Sequence, residues 1–413
     1  MSNFSNYKCG LIGKTLGHSY SPQIHAYFGE YEYKLYEMPE EEVGTFLKTA
    51  DYTALNVTIP YKKTVMPFLD EISDEAKRIG SVNTITRTAN GGLRGDNTDY
   101  YGFSYMLDYA GIDVEGKKVL VIGDGGASMM ARTVAADRKA REIVIITEET
   151  NNHETLSQHS DCEILFNTTP VGMYPKAGKT PVSLDYFPKL EGIVDVIYNP
   201  AITRLAYDAK VRGIKWITGL TMLVAQAKMA SELFTGSKID DAEIARVTTA
   251  VANSMKNILL VGMPGCGKST IGGKLAELTG RKFVDTDELI AERAGTTIPE
   301  IFAAHGEAYF RKLETEVLAE VSQKSELIIA TGGGVVTRPE NHPLCNQNSI
   351  VAFLNRDISI LPKDGRPISQ SRDLGELFRE RLPLYRAVCD FEIAVDTTDV
   401  EVNAKKILDK VGL

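Results

Sequence analysis

Short apolar runs alternate with stretches of helical spacing along nearly the whole chain, a pattern that predicts parallel sheets wrapped by helices. Strand-like runs fall at Lys8–Ile12, Tyr31–Glu37 and Ala54–Ile59, and a helix is expected over Tyr100–Ala110. Residues 117–135, KKVLVIGDGGASMMARTVA, read as strand, glycine turn and helix, and a further strand is expected at Glu142–Ile146. Asp240 followed by Glu243 has the spacing of a capping box, so a helix is expected from there to about Met255. An apolar run at Asn257–Val261 then enters GMPGCGKST, residues 262–270, ahead of a helical pattern over Ser269–Leu278. The seam near residue 256 leaves almost no linker, and no internal repeat or low-complexity segment interrupts the chain.

The strand, glycine-rich loop and helix around 262–270 form the setting that a phosphate cradle needs. Gly262, Gly265 and Gly267 let the backbone curl so that successive N–H groups point at phosphate oxygens, and the helix that follows adds its positive end. Cys266 and Thr270 belong to the same expected nucleotide-binding loop. Lys268 supplies a point charge for the terminal phosphates, and Ser269 offers an oxygen to Mg²⁺. The second half of the chain is therefore expected to handle a nucleoside triphosphate, ATP, with Mg²⁺.

Composition narrows the class without naming a reaction. At 413 residues the chain has room for two or three compact domains. No run reaches the ~18 apolar residues that span a bilayer, and the opening MSNFSNYKCG has no basic segment leading into an apolar one, so neither secretion nor a membrane partner is expected. The five cysteines, Cys9, Cys162, Cys266, Cys345 and Cys389, are scattered and never spaced as metal ligands, which fits a reducing cytoplasm. A net charge of −9 opposes nonspecific nucleic-acid binding but leaves local basic groups free to hold small anions.

The glycine turn after residue 122, with Gly123, Gly125 and Gly126, is by itself a weak dinucleotide signal. The strand that follows ends in Thr147-Glu148-Glu149-Thr150, and an acid there is where a ribose 2′-hydroxyl is usually gripped.

Taken as a set, GLIGKTLGHSYSPQIH (10–25), NVTIPYK (56–62), SVNT (81–84) and GDNTDYYG (95–102) resemble shikimate dehydrogenase in order and spacing, with further matches at NTTPVGMYP (167–175), DVIYNP (195–200) and GLTMLVAQA (219–227). The resemblance covers about residues 7–255. It implies that Ser19 and Ser21 bind substrate hydroxyls and carboxylate, and that Asn56, Thr58, Asn83, Thr98, Tyr198 and Gln226 complete the pocket. Lys62 and Asp99 match the family's catalytic pair, a proton donor at a reducible ketone and the carboxylate that holds it. Read alone, Lys62 is a solvated charge and Asp99 a helix cap; only the surrounding matches pair them. Ala127, Gly219 and Glu148 join the glycines on the expected cofactor surface. One departure stands out. Where the family usually has Asn-Arg-Thr, with the arginine accepting the adenosine 2′-phosphate, this chain has Thr147-Glu148-Glu149-Thr150, and Asp124 adds a charge within the turn. NADP is what the resemblance implies, whereas these acids lean towards NAD or towards weak cofactor binding.

Residues 257–413 resemble shikimate kinase. FVDTDELI (283–290) carries the family's paired acids, with Asp285 on the metal side and Asp287 meeting the substrate hydroxyls. GEAYFRKLE (306–314) supplies Arg311 as a carboxylate clamp, and TGGGVV (331–336) supplies Gly332, Gly333 and Gly334 for close approach to substrate. GRP at 365–367 lies in a polar stretch with the lid arginine Arg366, and RLPLYR (381–386) begins with a second clamp, Arg381.

The fold class expected from these readings is α/β: a substrate-binding domain at 1–103 completed by helices at about 220–255, a Rossmann-like dinucleotide domain at 104–219, and a P-loop NTPase-type kinase domain with a parallel sheet at 257–413. The resemblance implies a bifunctional fusion that reduces 3-dehydroshikimate to shikimate and then phosphorylates the shikimate 3-hydroxyl. The alternative is an active kinase fused to a dehydrogenase-like domain that binds ligand with little or no oxidoreductase activity. Oligomeric state is left open.

Overall fold

The computed structural model describes residues 4–17, 19–361 and 373–413. The chain divides into two compact units: Met1–Gly172 with Lys179–Tyr198 and Asp208–Val251, and Met173–Gly178 with Asn199–Tyr207 and Ala252–Leu413. Among the described residues no helix is long and apolar enough to cross a membrane.

The first unit holds two sheets. The first contains β1 (Lys8–Gly13), β2 (Glu32–Glu37), β3 (Ala54–Val57), β4 (Glu71–Ile72), β5 (Thr84–Arg87) and β6 (Leu93–Asp96), in the order β2-β1-β3-β5-β6-β4. β1 pairs in parallel with both β2 and β3, whereas β5 runs antiparallel to β3 and β6. Every residue of β3 is buried, as a strand covered on both faces requires. β3 stops at Val57 rather than at the expected Ile59. The Tyr61 N–H closes a turn on the Thr58 carbonyl at 2.9 Å, and Pro60 has no N–H to continue the ladder.

The second sheet is wholly parallel, with β7 (Lys118–Ile122), β8 (Glu142–Ile146), β9 (Ile164–Asn167), β10 (Gly192–Asp195) and β11 (Lys215–Thr218) in the order β11-β10-β9-β7-β8. The chain leaves β7 for β8 on one side and returns to β9 on the other. That reversal opens a crevice beyond the carboxyl ends of β7 and β9, where open α/β sheets bind ligands. Gly123 occupies the left-handed region there (φ 107°), and a Cβ would come within 2.8 Å of the Thr168 hydroxyl, so glycine is required.

Two helices fasten the sheets of this unit. Thr98–Ala110 and Leu220–Thr235 approach so closely that a Cβ on Gly102 would lie 2.7 Å from the Met222 carbonyl oxygen. His25, at the end of the short helix Ser21–His25, stacks on Tyr33 (centroids 4.1 Å apart) and lies 5.7 Å from the Phe234 ring. Its Nδ1 is 2.7 Å from the Tyr31 hydroxyl, which also meets Ser231. A segment near residue 230 therefore completes the core begun by the first thirty. The helix after it spans Ala242–Met255 but opens without the expected capping box. Asp240 accepts the Ala242 N–H at 2.9 Å, while the Glu243 carboxylate turns outward to Arg246 at 2.6 Å, a pairing available to an exposed side chain one turn away.

The second unit is built on β12 (Asn257–Val261), β13 (Lys282–Asp285), β14 (Leu327–Ala330), β15 (Ser349–Asn355) and β16 (Phe391–Ala394), all parallel in the order β13-β14-β12-β15-β16. β12 lies at the centre and is buried along its whole length. The segment Ile298–Val321 is two helices that meet at Gly306 (φ 77°), a conformation few other residues adopt, and the turn re-aims the part that carries Arg311 and Glu314.

Burial holds the His25 pKa down, to about 3, because a charged imidazole would lose its hydration among aromatic rings. The unfolded chain then binds more protons than the folded one below about pH 6.5. Stability is full above that value and falls as the pH drops towards 3, by at most about 1.4 kcal/mol per pH unit for this group. Denaturant unfolding of the first unit should be less sensitive to pH between about 6.5 and 4.5 in His25→Gln than in the parent chain. An unchanged pH slope would contradict the assignment.

Candidate active sites

In the first unit, a cleft of about 750 Å³ opens where the two sheets meet. β3 and the turn beyond it bring Asn56, Thr58 and Lys62 to the cleft; the segment before Pro22 brings Ser19 and Ser21; Asn83 precedes β5 and Asp99 begins a helix. Tyr198 and Gln226 close the far wall. Lys62 Nζ lies 2.6 Å from Asp99 Oδ2, both side chains being largely but not wholly buried. Asn97 caps the helix by accepting the Asp99 N–H at 3.1 Å, which fixes the start of the helix and with it the carboxylate.

The amide side chains are oriented by the protein itself. Tyr33 donates to Asn56 Oδ1 at 2.8 Å, and Asn83 Oδ1 accepts the Thr98 N–H at 2.7 Å. Thr98 is buried behind this wall, its hydroxyl between Asn83 and Gln226, and is absent from the lining. Tyr198 packs edge-on against Tyr20, and burial raises its pKa.

On the second sheet's side the cleft is lined by Gly126, Ala127 and Gly219. Gly219 is pressed against the Val196 carbonyl, leaving no room for a Cβ. Gly125 and Gly126 differ: a Cβ at either would meet nothing within 4 Å, so internal packing does not call for glycine there. A dinucleotide pyrophosphate passing over the amino end of helix Gly126–Asp137 fits this open cradle. Gly123, Gly125 and Glu148 lie outside the lining of the cleft proper, Glu148 being on the exposed turn after β8. Exposed carboxylates stand on that turn, at Glu148 and Glu149, and at Asp124. Met130, Met222, Leu223, Thr15 and Lys63 also line the cleft. The three apolar ones look like ordinary core positions of helices, so nothing in the sequence marked them.

In the second unit, a cavity of about 500 Å³ brings the glycine loop (Gly265, Gly267, Lys268, Ser269, Thr270) together with Asp285, Asp287, Arg311, Gly332, Gly333, Gly334 and Arg381. Gly262 and Cys266 lie behind it, Cys266 being fully buried. Lys268 is held over the loop by the carbonyls of Gly262 and Met263 at 2.9 and 3.0 Å. Ser269 donates to Asp285 Oδ2 at 2.6 Å, and Asp285 Oδ1 caps the next helix through the Asp287 N–H at 2.9 Å. The capping reading and the metal-side reading of Asp285 thus coexist on two oxygens. One hydroxyl and one carboxylate fit Mg²⁺, which retains waters and takes its remaining ligands from phosphates.

Asp287 Oδ1 has no hydrogen-bond partner, and its pKa is pushed up to about 6 by burial and by the charges of Asp285 and Glu314. Arg311 is buried, donating to Glu314 Oε2 at 2.8 Å and to Glu307 at 3.0 Å. The Gly334 backbone lies so close to the guanidinium that no side chain fits between them. Arg381 and Tyr385 both donate to the Gly333 carbonyl, Arg381 at 3.1 Å, and so hold the glycine segment from the opposite side. Arg366 lies outside the described residues.

Sequence reasoning missed Glu314, which burial alone marks as more than a helix-surface acid, and Arg356, which follows β15, lines the cavity and has a buried Nε without a partner. An arginine directly after an apolar strand was the available signal.

Residues 11–85 match the family described as shikimate dehydrogenase substrate binding domain, and residues 264–412 match shikimate kinase. The NADP(+) shikimate dehydrogenase of Clostridium beijerinckii is 39% identical over 253 residues, 56% of this chain and 93% of the relative. Among solved structures, a chorismate mutase/shikimate 5-dehydrogenase fusion protein from Clostridium acetobutylicum is 34% identical with a TM-score of 0.55, covering 61% of this chain and 98% of that one. Shikimate 5-dehydrogenase from Listeria monocytogenes, solved in complex with shikimate and NAD, is 26% identical with a TM-score of 0.51, covering 60% of this chain and 98% of that one. The chain belongs to the shikimate dehydrogenase family over its first part and matches the shikimate kinase family model over residues 264–412.

Proposed function

We propose that this one chain catalyses two consecutive conversions, the reduction of 3-dehydroshikimate to shikimate and the phosphorylation of the shikimate 3-hydroxyl by ATP. Residues 1–103 with about 220–255 bind the first substrate, 104–219 bind the dinucleotide, and 257–413 form the kinase. What carries the proposal is that each cleft sets a proton-handling group beside hydroxyl, amide or guanidinium groups suited to the same small hydroxy acid.

In the first cleft, Ser19, Ser21, Asn56, Thr58, Asn83 and Gln226 orient the ring, Thr98 fixing Asn83 from behind. A bound nicotinamide supplies the hydride. The ketone oxygen gains negative charge as the carbon is reduced, and the Lys62 ammonium gives it a proton, while Asp99 at 2.6 Å keeps the ammonium in position. The pairing of Lys62 with Asp99 favours a working oxidoreductase over a domain that only binds.

In the second cavity, Arg311 and Arg381 hold the substrate carboxylate, and Asp287 takes the proton of the attacking hydroxyl as the bond to the γ-phosphorus forms and ADP leaves. Ser269 and Asp285 would hold Mg²⁺, which spreads charge on the phosphates. Lys268, with Arg366 from the polar segment, offsets charge on the phosphoryl group in transfer.

Purified chain given Mg²⁺, ATP and shikimate should yield a singly phosphorylated acid by mass spectrometry, with gluconate and nucleoside monophosphates left unchanged. Unphosphorylated shikimate would overturn the kinase half. Lys268→Ala should lower this transfer by about 10²–10³-fold. Lys62→Ala should lower nicotinamide-coupled oxidation of shikimate by about 10²–10⁴-fold and leave phosphoryl transfer intact. Parallel loss of both activities in either variant would refute separate sites.

A further inference from the structure

We propose that the dinucleotide site of the first unit rejects a 2′-phosphate and takes NAD in preference to NADP; this rests on the dehydrogenase reading above. β7 and β8 pair in register up to Ile122 and Ile146, and the Gly123 N–H donates to the Ile146 carbonyl at 2.8 Å. The glycine turn and the end of β8 therefore start from the same point on the sheet edge. A pyrophosphate lying over the open Gly125–Gly126 cradle brings the adenosine ribose towards the turn after β8.

That turn is closed upon itself. The Thr147 N–H donates to the Thr150 hydroxyl at 2.9 Å, the two hydroxyl oxygens are 3.2 Å apart, and the Thr150 N–H returns to the Thr147 hydroxyl at 3.4 Å. With both threonines engaged, Glu148 and Glu149 are the side chains left to the outside, and both are exposed. Asp124, exposed on the glycine turn, adds a third carboxylate.

The stretch of sequence around Glu148 and Glu149 supplies no lysine or arginine: from Glu142 to Pro175 the chain contains neither. Arg141 is at the opposite end of β8, bound to the Gly116 carbonyl and Glu163. Arg132, the first cation after the glycine turn, donates to the Ser128 carbonyl of its own helix at 3.3 Å. His153 lies 3.0 Å from the Tyr186 hydroxyl through Nδ1. A 2′-phosphate adds close to two negative charges beside these acids, whereas a free 2′-hydroxyl can donate a hydrogen bond to one of them.

Direct binding of NAD⁺ and NADP⁺ to the full chain, measured by calorimetry without substrate, tests this. NAD⁺ should bind at least about tenfold more tightly at low ionic strength, and the ratio should narrow as salt screens the carboxylates. Equal affinity or tighter NADP⁺ binding would overturn the inference and leave the dehydrogenase reading in place; failure of both to bind would overturn the two together. Glu148→Arg should raise NADP⁺ affinity and narrow or invert the ratio, with an unchanged thermal-unfolding profile of the full chain reporting that the first unit is still folded. No gain in NADP⁺ affinity in that folded variant would count against the turn as the selector.

Discussion

A strand covered on both faces has no place for a charged side chain except at its end, and this constraint decides where the polar groups of the two clefts lie. β3, β7 and β12 are buried throughout, and each gives way at its carboxyl end to a turn that reaches one of the two clefts: Thr58 to Lys62, Gly123 to Gly126, Gly262 to Ser269. Once polar groups are concentrated there, the second requirement is that each buried charge has a partner. Lys62 has Asp99, Arg311 has Glu314 and Glu307, and Lys268 has two loop carbonyls. These partners hold the charged groups at fixed positions, so little reorganisation is needed when a substrate arrives.

The two clefts meet that requirement differently. In the first unit the polar lining is mostly amides and hydroxyls whose directions are set by neighbours, as Tyr33 sets Asn56 and Thr98 sets Asn83. In the second unit it is a network of charges, with Arg311 between two glutamates and Asp287 left with an unpartnered oxygen facing Gly332. Neutral donors and acceptors suit a ketone being reduced, and a charge-rich cavity suits the movement of a phosphoryl group.

The fold class was legible because alternation of buried runs and helical stretches is a property of residues near one another in sequence. Glu142–Ile146 and Asn257–Val261 are strands with those bounds. What depends on distant neighbours was not legible. Nothing local to Glu314 says that Gly332 lies against it, and nothing around Met130 or Met222 separates a cleft wall from a core. The capping box failed for a local reason: Arg246 one turn away offers Glu243 an ion pair, and the motif spacing does not choose between the two. Lys62 is the reverse case. Its own surroundings in sequence describe a solvated lysine, and only Asp99, 37 positions later, makes it one of a pair.

If one small acid is recognised twice, by amides and hydroxyls in the first cleft and by guanidinium groups in the second, its binding stoichiometry must show it. Calorimetric titration of the full chain with shikimate, without nucleotides, tests this most directly. The account predicts two sites per chain, of which Asn83→Ala removes one and Arg311→Ala the other. A single site in the parent chain, or loss of both sites in one of these variants while it remains folded, would contradict it.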